Sequence, residues 1–200
     1  PEKGREVESM SIAGGVRCLF VAVLVLATVG PATALEIGGA ILPDTLTAGQ
    51  QELVLNGAGL RKKFFVKVYA GGLYLTEKSG DADAIIAADA PMAIRMHFIY
   101  DGVSPEKLID AWNEGFTAAT GGDTAPIQAG IDKFNGFFTE EAKAGDTYDI
   151  IYSPEQGVRM YRGDRLKGVI PGLEFKQALF GIWLGEEPAD DGLKDGMVGR

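Results

Sequence analysis

Hydrophobic and polar residues alternate in several segments of the chain, which is the pattern of β-strands with one buried face. The first two strands are predicted over residues 51–61 and 64–75, and Lys62 and Lys63 between them are predicted to form the turn of a hairpin. A third strand is predicted over residues 92–99. The later strands are predicted over residues 148–152, 158–161 and 166–170. Short connections of this kind predict an antiparallel sheet.

Three other segments repeat their apolar residues every three or four positions, which is the period of a helix with one buried face. These helices are predicted to begin near Ser104, Thr124 and Gly172. Their apolar stripes are Leu108, Trp112 and Phe116, then Ile127, Ile131, Phe134 and Phe138, then Phe175, Leu179 and Trp183. The acidic, glycine-rich tail from Glu186 is predicted to pack only loosely. The order of strands and helices predicts an α+β domain, a curved sheet with helices laid over one side.

The N-terminal segment is organised like a secretory signal peptide. An apolar run at residues 18–27 is shorter than the ~20 apolar residues that a membrane-spanning helix needs. Small residues two positions apart, ending at Ala34, match a signal peptidase site, and Met10 has the position of a start residue. We therefore predict that residues 1–34 are an upstream extension plus signal peptide, cleaved after Ala34. A single domain over residues 35–200 would be exported to the periplasm; an uncleaved membrane anchor is the alternative.

Charge and composition exclude several classes of function. The chain of 200 residues has a net charge of −9, and we expect no nucleic-acid partner because phosphate binding needs a basic surface. It contains one His and one Cys, too few for a His-rich metal site, a Cys-rich zinc site or a disulfide framework. We therefore expect no metal, no cofactor and no stable membrane span after removal of the signal peptide.

The residues with the clearest binding chemistry are Arg61 and Tyr69 on the first hairpin. With Lys62 and Lys63 as the turn, Arg61 would lie opposite Phe65, and Arg61 and Tyr69 would share one face with ~13 Å between their Cα atoms. A guanidinium and a phenol together supply three donors to a carboxylate, and apolar neighbours would hold its acyl or aromatic body. The alternative is that Arg61 lies at the sheet rim and Tyr69 in the core.

The segment Asn56–Leu75, which reads NGAGLRKKFFVKVYAGGLYL, resembles the chalcone isomerase-like family in its exported bacterial branch. The resemblance continues through residues 95–98, 103–107, 163–172 and 175–185. It implies an open-faced β-sandwich, in which a large antiparallel sheet is covered on one side by helices.

The same resemblance implies two different functions. In the plant isomerases, an Arg at the position of Arg61 assists an intramolecular cyclisation together with a loop Tyr. That Tyr corresponds to Ser104 here, and the Asn that follows it falls near Ala111. In the fatty-acid-binding relatives, an Arg and a Tyr at the positions of Arg61 and Tyr69 hold a carboxylate, and this chain is similar to them.

We therefore expect a non-catalytic binding protein for a fatty acid or similar amphipathic carboxylate, held by Arg61 and Tyr69 between sheet and helices. The cleft lining is predicted to include Phe65, Tyr74, Ser104, Trp112, Phe134 and Phe138. An intramolecular lyase that uses Arg61 on a phenolic substrate is the alternative, and a protein-interaction domain with a vestigial cleft is the third reading. The sequence indicates no particular protein partner.

Overall fold

A large antiparallel sheet is the centre of the fold. The structure, a computed structural model, describes Gly4 and residues 34–200, so the predicted signal segment lies outside the described residues apart from Gly4 and Ala34. A small hairpin consists of β1 (Ala34–Ile37) and β2 (Ala40–Pro43). The main strands are β3 (Thr45–Ala48), β4 (Gln51–Lys63), β5 (Val66–Leu75), β6 (Met92–Phe98), β7 (Thr147–Ser153), β8 (Gly157–Arg162) and β9 (Arg165–Ile170). They form one seven-stranded sheet in sequence order.

Helices cover one face of this sheet. They are α1 (Ala82–Ala87), α2 (Pro105–Ala119), α3 (Gln128–Asn135), α4 (Leu173–Leu184) and α5 (Asp191–Met197), and a short 3-10 turn, Ala125–Ile127, precedes α3. The predicted α+β fold, an antiparallel sheet with helices on one side, is confirmed. The apolar stripe predicted for α2 is also confirmed, since Leu108, Trp112 and Phe116 are its buried residues.

Alternating side chains of the strands build the core beneath the helices. On β6, Met92, Ile94 and Met96 are at most 2% exposed and face the helices. On the other face of the sheet, the β1–β2 hairpin buries Ala40 and Leu42 against Ala70 of β5. The sheet therefore has a main core on the helix side and a smaller apolar cluster under the hairpin.

The turn between β4 and β5 lies two residues later than the sequence pattern predicts. Strand β4 extends to Lys63, and Phe64 and Phe65 form the turn. Arg61 is therefore paired directly with Tyr69, with an irregularity of register after Arg61. The predicted separation of ~13 Å is wrong, because opposite residues of an antiparallel pair have Cα atoms roughly 4.5–5.5 Å apart.

The C-terminal tail, predicted to be loose, folds as α5 directly on β4. Leu193 and Met197 of this helix are fully buried. Gly57 and Gly59 allow the close approach: a Cβ atom at Gly57 would lie 2.3 Å from a backbone oxygen of α5, and one at Gly59 would lie 2.8 Å from the Leu193 Cα. Because these two positions have no side chain, the backbone of α5 packs directly against the backbone of β4.

Candidate functional site

A cavity of about 690 Å³ opens between the sheet and α2. Arg61 of β4, Tyr69 of β5, and Met96 and Phe98 of β6 contribute its sheet side. Helix α2, Ile182 of α4 and the loop residues 187–189 complete the wall. Its volume lies within the ~300–1,000 Å³ range of small-molecule sites.

Arg61 is held at one end of this cavity by its Nη1 atom. Nη1 donates to the Lys62 carbonyl at 2.6 Å and lies 3.5 Å from Oδ2 of Asp190, with the Arg61 side chain 29% exposed. Asp190 is the N-cap of α5 and also accepts from the backbone nitrogens of Lys62 and Leu193, each at 3.0 Å. Among residues 34–200, Nε and Nη2 of Arg61 donate to no side chain or carbonyl. One edge of the guanidinium is therefore free for a ligand.

Tyr69 lies beside Arg61 on the same face of the sheet, since directly paired residues share a face. Its hydroxyl oxygen accepts from Nε1 of the buried Trp183 at 2.9 Å. Burial raises the pKa of Tyr69 to about 12, while the hydrogen bond from Trp183 and the charge of Arg61 act in the opposite direction. The phenol is therefore protonated at neutral pH, and its own O–H remains available to donate.

The rest of the wall is mainly apolar, with charged residues of both signs. Phe98 packs against Tyr69 with ring centroids 5.6 Å apart. The basic residues of the lining are Arg61, Lys63 and Lys107, and the acidic ones are Asp110, Glu114 and Glu187. Ala111 and Ala118 lie about two turns apart on the same side of α2, and both line the cavity. Their small side chains leave space between this helix and the sheet.

Three of the predicted site residues line this cavity: Arg61, Tyr69 and Trp112. Trp112 also contacts Phe134 and Phe138, at centroid distances of 5.1 and 5.5 Å. Those two rings fill the core behind Trp112, so Phe134 and Phe138 do not line the cavity.

The other three predicted lining residues lie elsewhere. Phe65 is fully exposed in the hairpin turn. Tyr74 is five residues from Tyr69 on the same strand, so it faces the other side of the sheet, where its hydroxyl donates to the Pro43 carbonyl at 2.9 Å. Ser104 is the N-cap of α2 and accepts from the Lys107 nitrogen at 3.4 Å.

Several residues of the site carry no clear sequence signal. Asp190 reaches Arg61 across 129 positions of sequence, so no local pattern connects them. Phe64, Val66 and Tyr100 line the opening of the cavity, and Ile182 lines its inner wall. The helix that places Asp190 has a weak signal, since Leu193 and Met197 are apolar residues four positions apart in a polar segment.

Within residues 34–200, no cluster of three or more His, Cys, Asp or Glu side chains is arranged to hold a metal ion. The single His, His97, lies on the face of the sheet away from the cavity, where Nδ1 is 3.3 Å from the Ile41 carbonyl. None of the described helices combines the length and apolar character required to cross a bilayer.

Two comparisons with known proteins identify the family and the fold of this chain. The family model described as chalcone isomerase-like matches residues 34–199, which include all the strands and helices that the structure describes and the whole cavity. The chain belongs to the chalcone isomerase-like family. Among solved structures, a fatty-acid binding protein of Arabidopsis thaliana is similar to this family member, with a TM-score of 0.69 and 17% sequence identity. The similarity covers 83% of this chain and 96% of the plant protein. No curated protein has a significantly similar sequence.

Proposed function

We propose that this family member is a non-catalytic binding protein that holds a fatty acid or similar amphipathic carboxylate in the cavity between sheet and α2. The observation that carries the proposal is the direct pairing of Arg61 with Tyr69 on the wall of a mainly apolar cavity. A charged group with free donors beside an apolar volume is the arrangement that an amphipathic anion requires.

The donors fit a carboxylate. The free edge of Arg61, Nε and Nη2, offers two parallel N–H groups, and Tyr69 offers an O–H. Asp190 keeps Nη1, so an incoming carboxylate would share the guanidinium with Asp190 instead of displacing it. The acyl chain would extend past Phe98 and Trp112 along α2.

The comparison with solved structures supports binding as the class of function, because the Arabidopsis protein of the same fold is named a fatty-acid binding protein. The position of Ser104 also favours binding over cyclisation. Ser104 stands where the resemblance to plant isomerases would place a loop Tyr, and it caps α2 instead of lining the cavity.

Export to the periplasm is part of the proposal. The family match and strand β1 both begin at Ala34, so cleavage after this residue would leave the domain almost complete. Edman sequencing or intact mass of the protein recovered from the periplasm tests this directly. A chain recovered uncleaved in the membrane fraction would contradict it.

Calorimetric titration with dodecanoate, its methyl ester and dodecanol tests the binding proposal. We expect the carboxylate to bind and the two neutral analogues to bind at least tenfold more weakly, because a charge-assisted hydrogen bond contributes ~1.5–3 kcal/mol. Arg61→Gln is expected to weaken dodecanoate binding roughly tenfold to a hundredfold and to change stability by less than about 1 kcal/mol, since its ion pair is partly exposed.

Lys107→Gln is the matched control, because it removes another positive charge from the same cavity wall. It is expected to change dodecanoate affinity less than threefold, roughly the effect of a screened surface charge. Equal affinity of the wild-type protein for acid and ester, or a larger effect of Lys107→Gln than of Arg61→Gln, would contradict the proposed carboxylate site.

A further inference from the structure

The tip of the β4–β5 hairpin, defined as residues 62–67, has an unusual surface. Phe64 is 88% exposed and Phe65 is fully exposed, the two highest values among the large hydrophobic residues that the structure describes. Val66 beside them is 43% exposed. Two exposed apolar rings side by side add no buried area to the core, and such rings can insert at the boundary between lipid headgroups and acyl chains.

The turn that exposes these two rings contains an unfavourable backbone conformation. Lys63 and Val66 are partners in the ladder, so Phe64 and Phe65 form a two-residue turn. Phe64 has φ of 56°, the only positive φ of a non-glycine residue in the described part of the chain. Glycine is the usual residue at the first position of such a turn, because a Cβ atom is disfavoured there. The fold therefore gains nothing from Phe at this position.

The tip is also a positive region in an acidic protein. Residues 53–76 contain four basic residues, Arg61, Lys62, Lys63 and Lys67, and no Asp or Glu. Arg61 is paired with Asp190, so the tip itself, residues 62–67, carries +3 in a chain of net charge −9. The three lysines are exposed and flank the two Phe rings on both sides. Such a surface is attracted to phosphate-rich anionic lipid.

The same tip forms part of the cavity opening. Lys63, Phe64 and Val66 belong to the cavity lining, together with the half-exposed Tyr100. The α2 side of the cavity carries Asp110 and Glu114, which an anionic surface repels. A membrane would thus meet the protein at the hairpin side of the opening, next to Arg61.

We propose that the hairpin tip docks the protein on the surface of an anionic phospholipid membrane, with Phe64 and Phe65 inserted among the headgroups, and that the cavity exchanges its ligand there. The exchange rests on the proposed function, whereas the docking requires only the tip. Charge complementarity supports this occupant, because the three exposed lysines beside the two rings attract anionic headgroups.

Vesicle flotation tests the docking, with vesicles of phosphatidylcholine alone and vesicles that also contain phosphatidylglycerol. The described residues 34–200 belong to one compact unit, so the chain from residue 35 is used to keep the apolar run out of the assay. We expect the wild-type protein to float with the anionic vesicles. The double variant Phe64→Gly, Phe65→Ser is expected to bind them at least roughly tenfold more weakly, and its melting temperature is expected to be unchanged or higher because Gly relieves the turn.

Two controls separate the tip from general surface effects. Ile41→Ser with Leu166→Ser removes two other exposed apolar side chains and is expected to leave vesicle binding unchanged. The triple variant of Lys62, Lys63 and Lys67 to Gln is expected to lose about fivefold in affinity per lysine on anionic vesicles only. The triple variant of Lys78, Lys133 and Lys143 to Gln has the same net charge and is expected to bind like the wild type.

The outcomes are decisive for the docking. Wild-type protein that stays unbound, or a Phe64→Gly, Phe65→Ser variant that floats as well as the wild type, overturns it. A wild-type dimer that these two substitutions convert to a monomer, without vesicle binding, also overturns it and assigns the tip to self-association.

Membrane docking and ligand binding can be tested independently of each other. Ala111→Trp fills the α2 side of the cavity without touching the tip, so it is expected to keep vesicle binding and to lose dodecanoate binding. The single variant Phe65→Ser, whose exposed ring lies outside the cavity lining, is expected to bind dodecanoate like the wild type when no vesicles are present, and to take it up more slowly from vesicles. Uptake at the wild-type rate would show that exchange does not need the tip.

Discussion

At the scale of single residues, Tyr69 serves both the fold and the site with one oxygen atom. The oxygen accepts from Trp183, and the proton on the same oxygen is free to donate into the cavity. Arg61 is divided in a similar way, since Nη1 is used by Lys62 and Asp190 while the other edge is free. Each of the two residues is thus positioned by protein contacts that leave its ligand-binding atoms available.

Tyr69→Phe is predicted to affect stability and affinity together. The substitution leaves Nε1 of Trp183 buried without its acceptor, which costs ~1–3 kcal/mol of unfolding free energy. It also removes one donor to the ligand, and dodecanoate affinity is expected to fall roughly tenfold. Urea denaturation and calorimetric titration measure the two effects. Tyr100→Phe, which removes a hydroxyl from the same opening, is the control; loss of stability with unchanged affinity would limit Tyr69 to a structural role.

Arg61 and Tyr69 were predicted as a carboxylate-binding pair because a guanidinium and a phenol lie on one hairpin and because the fatty-acid-binding relatives have both residues at these positions. The structure places both residues on the wall of the cavity. Tyr74 could have been excluded, since an odd spacing of five residues from Tyr69 on one strand places it on the opposite face. Phe134 and Phe138 could not have been excluded in this way. A helical stripe of apolar residues does not show which rings line a cavity and which pack behind Trp112.

At the scale of elements, β4 and α5 position the charged end of the cavity. Gly57, Gly59 and Arg61 alternate on the face of β4 that α5 contacts, and Asp190 at the start of α5 reaches Arg61. Sequence reasoning placed the turn of this hairpin too early, because a polar Lys pair is more typical of a turn than two Phe residues. It also missed α5, whose seven residues include two glycines and gain their stability from packing on the strand.

Gly59→Ala is predicted to destabilise this contact. The added methyl would lie 2.8 Å from the Leu193 Cα and 3.0 Å from its carbonyl oxygen, and backbone atoms cannot move aside as a flexible side chain can. Overpacking of this kind costs ~1–3 kcal/mol, measured as a lower unfolding free energy. Gly80→Ala is the control, because its nearest atom lies at an ordinary 3.4 Å. Equal stability of the two variants would show that α5 can shift without cost.

At the scale of the whole molecule, buried tyrosines make stability depend on alkaline pH. Burial is the largest effect on all four: it raises the pKa of Tyr69 and of Tyr152 to about 12 and shifts the pKa values of Tyr74 and Tyr148 in the same direction. Between pH ~10, the ordinary tyrosine pKa, and these raised values, the folded protein binds more protons than the unfolded chain. The contribution of the tyrosines is thus complete below pH ~10 and is lost as pH rises through 12.

We predict that the unfolding free energy falls steadily between pH ~10 and ~12. Urea denaturation at a series of pH values, with tyrosinate absorbance followed in parallel, measures both the loss and its cause. Tyr69→Phe is expected to make the fall shallower. A free energy that stays constant over this range would contradict the burial of these hydroxyls.

The fold class of the whole molecule followed from the sequence, because alternation and helical periodicity are set by which face of each element is buried. A cleft between sheet and helices was predicted as well, but its size and most of its lining were not, since they depend on how far α2 stands from the sheet and on the loop that brings residues 187–189 to its wall. Those distances are fixed by long-range contacts that no local pattern records.

The most direct measurement of the central claim is the carbon NMR signal of a carboxyl-labelled fatty acid bound to the protein, followed while the pH is lowered. A carboxylate beside the free edge of Arg61 and the Tyr69 hydroxyl keeps its charge, so its resonance is expected to stay unchanged well below the pH at which the unbound acid titrates. In Arg61→Gln, the resonance of any remaining bound ligand is expected to titrate at higher pH. A wild-type bound signal that titrates like the unbound acid, or one that Arg61→Gln does not alter, would contradict the account.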